Sequence, residues 1–110
     1  MTVTSTLHLN FDGEARAALE YYHSVFGGDL VVVPYGDTSP DQSDQVVWGQ
    51  VSSPDGFHVM AYDVQHDLVR VAGRNAFYFS LRSTDADAIT GYWTALAAGS
   101  SVEVELGPSV

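Results

Sequence analysis

The stretch Thr6–Gly28, TLHLNFDGEARAALEYYHSVFGG, decides how this chain is read. Its first part alternates within a longer alternating run over residues 3–11. Leu7, Leu9 and Phe11 fall on one side, and Thr6, His8 and Asn10 on the other. A period of two means a strand with one buried apolar face. Asp12-Gly13 interrupts the alternation, and Asp12 is placed to cap a helix. Ala15, Ala18, Leu19, Tyr22, Val25 and Phe26 then recur at helical spacing and make one apolar stripe. Gly27-Gly28 ends it, as glycine does at helix C-termini. The stretch therefore predicts a strand, a tight turn and an amphipathic helix. His8 falls on the strand face that does not pack under the helix.

The same reading carries along the chain. "DLVVVPYG" predicts a second strand and "TSPDQSDQ" a polar loop. "VVWGQVSS" and "FHVMAYDV" predict a third and fourth strand joined by the turn "PDG". The pattern then restarts. "NAFYFSLRS" alternates, with Phe77, Phe79 and Leu81 against Tyr78, Ser80 and Arg82. Thr84 is placed to cap a second helix, with Asp87 three residues on. Ile89, Trp93, Leu96 and Ala97 form its stripe, Gly99 ends it, and "SVEVEL" predicts a further strand. Ala18, Tyr22, Val25 and Gly28 map onto Ile89, Trp93, Leu96 and Gly99 at a constant offset of 71 residues. Leu9 and Phe11 map onto Phe79 and Leu81 at 70. The two halves read as one duplicated unit.

Composition narrows the function classes. The 110 residues suggest one domain, and 45% of them are hydrophobic, enough for a core. There is no cysteine, which excludes disulfides, a thiolate nucleophile and thiolate metal ligation. Cysteine-free sequence fits a reducing compartment. The start Met-Thr-Val-Thr-Ser-Thr has no basic and apolar run of a signal peptide, so a cytoplasmic location is expected. No apolar run approaches the roughly 20 residues of a membrane span. Fourteen acids against four Lys and Arg give a formal charge of −10. A polyanion would be repelled, so no nucleic acid is expected as partner. No Gly-rich phosphate loop, nucleophile elbow or dinucleotide fingerprint occurs.

"LNFDGEARAALEYYHSVFGGDL" resembles the opening of PhnB-like proteins, in which a strand ends in an aromatic-Asp-Gly turn and a helix closes on Phe-Gly-Gly. "VMAYDV" resembles that family's fourth strand, and "STDADAITGYWTALAAGSSVEVELGPSV" its second helix and following strand. The resemblance covers nearly the whole chain. It implies the vicinal oxygen chelate superfamily, with glyoxalase I, bleomycin-resistance proteins and extradiol dioxygenases. The implied fold is α+β, with paired βαβββ modules forming a curled mixed sheet around a cleft, and a homodimer. Residues 1–67 would be the first module and 75–110 a partial second one. The implied second module has two more strands and a Trp-Gly loop after Val110. Either order is lost there, which is the expected case, or a partner chain completes the fold.

Site candidates follow from the alternation and the resemblance together. Metal enzymes of that superfamily take ligands from the first and last strands of each module. His8 lies on the first strand, facing the implied cleft, and His58 opens the fourth, on the side of Met60 and Tyr62. A divalent metal held by His8, with His58 as a weaker candidate, is one cofactor reading. The competing one is a metal-free cleft in which His8 bonds to Asn10, Tyr62 or water. Tyr78 and Arg82 would face the cleft from the fifth strand. Arg82 can anchor a carboxylate or phosphate, or pair with Asp85. Tyr62, Tyr78, Trp48 and Met60 can line an apolar pocket, or serve as core or interface. His23 and His66 read as surface residues, and Trp93 and Tyr92 as core and rim. The expected function is small-molecule binding of the PhnB-like type with no assigned activity. The alternatives are a metal-dependent lyase, isomerase or dioxygenase, and a drug-sequestering resistance protein.

Overall fold

A computed structural model describes residues 3–73 and 78–108. The chain divides into two compact units, Met1–Ala72 and Gly73–Val110. The first is a βαβββ unit. Strand β1 (Leu7–Phe11) leads into helix α1 (Ala15–Phe26), then β2 (Asp29–Pro34), β3 (Val46–Ser52) and β4 (His58–Asp63). Two short 3-10 turns, Gly36–Thr38 and Pro40–Gln42, fill the polar loop before β3. The sheet order is β1-β4-β3-β2. β1 runs parallel to β4, and the other two pairs are antiparallel. The sheet is thus mixed, and its two edge strands are the ones that flank α1.

α1 lies on one face of the sheet, against β2, β3 and β4. Ala15 and Leu19 are fully buried and Phe26 nearly so. On the sheet they meet Val46, Val51, Val59 and Ala61, all buried. Full burial of a leucine side chain contributes about 1.5–3 kcal/mol. Gly49 lets the helix come this close. A Cβ there would run into the Leu19 side chain and stand 3.1 Å from the Val31 carbonyl oxygen. At the far end of the helix Phe26 stacks on Phe57, with centroids 3.8 Å apart and planes 10° apart. Gly28 follows at φ 85°, and a Cβ on it would meet the backbone of Ser52 and Ser53. The Phe-Gly-Gly element is therefore where the end of the helix meets the β3–β4 turn.

Asp12 does not cap α1. The N-cap residue is Glu14, whose side chain makes no capping bond to the helix and instead accepts the Asp12 N–H at 3.0 Å. The helix start is held from β4. Oδ1 of Asp63 accepts the N–H groups of Gly13 at 2.7 Å and Ala15 at 3.1 Å, and Oδ2 accepts that of Val46 at 2.9 Å. Asp63 is 1% exposed. A carboxylate placed against a helix N-terminus satisfies donors that would otherwise be orphaned, and it also complements the helix dipole.

The second unit contains α2 (Ala86–Ala98). Its cap is Asp85, one residue beyond the expected Thr84. The Asp85 side chain accepts from Asp87 N at 3.0 Å and Ala88 N at 3.2 Å. No residue of α2 is fully buried. Ile89, Tyr92, Trp93, Leu96 and Ala97 are half-buried, so the expected stripe is present. The strands expected over "NAFYFSLRS" and "SVEVEL" are not formed among the described residues. Asn75, Ala76 and Phe77 lie outside those residues, while 78–83 and 101–106 have irregular backbone. An alternating sequence becomes a strand only where its backbone joins a ladder, and the sheet among the described residues has four strands, β1 to β4. Leu81 and Val104 are exposed accordingly. No helix among the described residues is long and apolar enough to cross a membrane.

Candidate functional site

The face of the sheet opposite α1 carries the candidate site. Register fixes what stands there, because residues paired across neighbouring strands point the same way. Asp29 pairs with Ser52, and Ser52 with His58. The next row holds Val31, Gln50, Met60 and His8. The third has Val33 beside Trp48 on one side and Asn10 beside Tyr62 on the other. Neighbours within a row have Cβ atoms about 4.5–5.5 Å apart. His8 and Asn10 are exposed, and Gln50, Met60, Tyr62 and Trp48 are half-buried. Val31 and Val33 remain 40% and 41% exposed. In the described unit this face is polar and aromatic at its centre, with a valine pair along the β2 edge.

His8, Asn10, Met60 and Tyr62 thus come together on this face, through the pairing of β1 with β4. The rings of His8 and Tyr62 meet edge to face, centroids 5.0 Å apart at 81°. His58 shares the face, and its Nδ1 lies 2.9 Å from Ser52 Oγ. His23 stands away from the face, with its Nε2 3.0 Å from the Gly28 carbonyl oxygen. His66 is exposed. Tyr78 and Arg82 belong to the second unit, where they are exposed on irregular backbone instead of lying on a strand.

A catalytic zinc or related metal needs about three protein donors converging on an open position. Among the described residues no three of His, Cys, Asp or Glu gather to hold a metal ion. His8 and His58 are on neighbouring strands, with His58 two positions before the Met60 that faces His8. The described residues do not fit a metal centre of that type.

Three residues on or beside this face carry no signal of their own in the sequence. Gln50 and Ser52 were recoverable by running the alternation of β3 outward from Trp48. Arg70 lies in irregular chain after β4. Its Nε donates to the Asn10 carbonyl oxygen at 3.2 Å, and its guanidinium sits 5.8 Å from the Phe11 ring centroid. It brings positive charge to the end of β1, over the Phe11 ring. Behind the face, the Tyr35 hydroxyl donates to the Asp63 carbonyl oxygen at 2.6 Å. Burial pushes the Tyr35 phenol above its ordinary 10.0, and Tyr62, Asp63 and Asp67 push it the same way. Gln42, also buried, ties the loop before β3 to the end of β4. Its Nε2 donates to Gln45 Oε1 and the Val64 carbonyl oxygen, and its Oε1 accepts from His66 N. The end of β4 and the loop before β3 are therefore tied together by hydrogen bonds.

One solved structure gives the fold a counterpart. The crystal structure of protein PA1353 from Pseudomonas aeruginosa is 29% identical to this chain, with a TM-score of 0.79. The match covers 98% of this chain and 82% of that one. Among the described residues the chain is α+β, with a four-stranded mixed sheet and two α-helices. No family model matches it, and no curated protein does.

Proposed function

We propose that this chain is a small-molecule-binding protein of the PhnB-like type, within the vicinal oxygen chelate superfamily, and that the helix-free face of the first unit is its binding surface. One observation carries the reading. His8, Asn10, Met60 and Tyr62 stand on two adjacent rows of one accessible face, with Gln50 and Trp48 on the same rows. Two amides, an imidazole, two aromatic rings and a thioether offer stacking surface and hydrogen bonds of both senses. The βαβββ order of the first unit and the offset repeat of the second support the paired-module fold. A homodimer belongs to the same reading. It predicts a solution mass near twice 11.9 kDa.

The binding reads as metal-free. The metal-dependent alternative rests on His8, and one experiment separates the two. Chelator-stripped protein is titrated with Zn, Ni, Mn and Fe(II), for wild type and His8→Ala. No stoichiometric binding in either supports the metal-free cleft. Tight binding lost in His8→Ala replaces it with the metal-dependent reading. A fragment library is then screened by Trp48 emission in a Trp93→Phe background. Hits weakened by Tyr62→Ala support the binding surface, and hits indifferent to Tyr62→Ala and to Asn10→Ala refute it.

A further inference from the structure

The end row of the helix-free face holds a pair with its own chemistry. Ser52 and His58 are directly opposite each other across β3 and β4. Both are half-buried, and Ser52 Oγ lies 2.9 Å from His58 Nδ1. With the ring proton on Nε2, Nδ1 accepts from the serine hydroxyl. That is the contact a general base makes with the nucleophile it activates. The pair stands on paired strands, and a hydrogen bond from Phe57 N to Ser53 Oγ at 3.1 Å braces the turn beside it. Gln50 lies two residues along β3 on the same face. Its amide is a donor for an oxygen on which charge develops. Asp29, paired with Ser52 from the other side, is exposed. Its carboxylate, like the chain's charge of −10, repels an anionic acyl donor.

We propose that Ser52 and His58 form a nucleophile–base pair that takes acyl or phosphonyl groups from uncharged, activated donors. Ser52 Oγ forms the bond to the acyl carbon, and its proton passes to His58 Nδ1. The bond from that carbon to the leaving alkoxide breaks, and the alkoxide takes the proton from His58. Water, deprotonated by His58, then attacks the acyl carbon; the bond from that carbon to Ser52 Oγ breaks, Oγ takes the proton back from His58, and the acid is released. With a fluorophosphonate the first half alone occurs: an O–P bond replaces the P–F bond, and fluoride and the proton leave.

The test uses the full chain and an uncharged alkyl fluorophosphonate, read by intact mass, peptide mapping and rate of labelling. A single adduct on Ser52 is expected, absent in Ser52→Ala. His58→Asn and His58→Gln should each label about 10²-fold more slowly or worse, the usual yield of general base catalysis. Both should lose the wild type's rise in rate with pH while keeping its far-ultraviolet circular dichroism spectrum. A negatively charged phosphonate should label more slowly than the uncharged one. No adduct, an adduct on Ser53 or a tyrosine instead, or an unchanged rate in whichever His58 variant is folded would overturn the proposal.

Discussion

Replacing Asp63 should cost more than replacing any exposed acid of this chain. Its carboxylate accepts three backbone N–H groups, from Gly13, Ala15 and Val46, and it is almost fully enclosed. Asp63→Asn retains an acceptor for Gly13 and Ala15 but turns an amide N–H₂ toward the Val46 N–H. A hydrogen bond to a charged group contributes about 1.5–3 kcal/mol, and a buried donor left unsatisfied costs about 1–3 kcal/mol. The favourable charge at the helix N-terminus, about 0.3–1 kcal/mol, is lost too. Relief of carboxylate desolvation offsets part of this. The net expectation is a loss of about 2–4 kcal/mol for Asp63→Asn. Asp63→Ala, which orphans all three donors, should lose about 3–5 kcal/mol. Domains of this kind are stable by about 5–15 kcal/mol, so both variants should show a lower urea midpoint at constant slope. The assay is urea unfolding at neutral pH, followed by far-ultraviolet circular dichroism and tryptophan emission. A midpoint for Asp63→Asn within about 0.5 kcal/mol of wild type would refute the claim that this carboxylate holds the start of α1.

Two further outcomes follow from the packing and the buried phenols. Gly49→Ala should destabilise by about 1–3 kcal/mol through overpacking under Leu19, measured in the same urea series; an unchanged midpoint would mean the helix rides higher than described. Stability should fall at alkaline pH, because burial raises the Tyr22 and Tyr35 phenols above 10.0, with Tyr21 adding to the first. The folded chain then holds these protons more tightly than the unfolded one. Their stabilisation is complete below pH 10.0 and is lost as pH climbs through the raised folded values. Tyr35→Phe should flatten that decline in thermal melts taken across the alkaline range, and an equally steep decline would contradict it.

β1 and α1 were legible because each carries its period openly, and β2, β3 and β4 because apolar runs stand between turn formers. Leu7, Leu9 and Phe11 alternate, and Ala15, Leu19 and Phe26 recur at helical spacing. The cap of α1 was not legible. Asp63 is 50 residues from Gly13 and 48 from Ala15, and no local pattern links a strand end to a helix start so far away. Asp12 offered the right side chain at a plausible place, but the buried carboxylate from β4 reaches the same donors with better partners. The segments 78–83 and 101–106 show the opposite limit. Their alternation is plain, yet a strand is a property of a ladder, and a sequence pattern does not supply the neighbour. On the face, parity gave the side of His8 and Asn10 within β1 and of Met60 and Tyr62 within β4, and the pairing of the two strands supplied their adjacency. Gln50 and Ser52 followed from carrying the alternation of β3 on from Trp48, and Arg70 needed the path of an irregular segment.

The face itself can be tested most directly by mapping amide chemical shifts of isotope-labelled protein against a fragment library. Binding at the helix-free face predicts that His8, Asn10, Gln50, Met60 and Tyr62 shift as one contiguous set for the same ligands. Leu19 and Phe26, on the helix behind the sheet, should move little. Hits that shift α1 or the Gly36–Thr38 turn while leaving His8, Gln50 and Tyr62 in place, or a library that shifts none of them, would contradict the account.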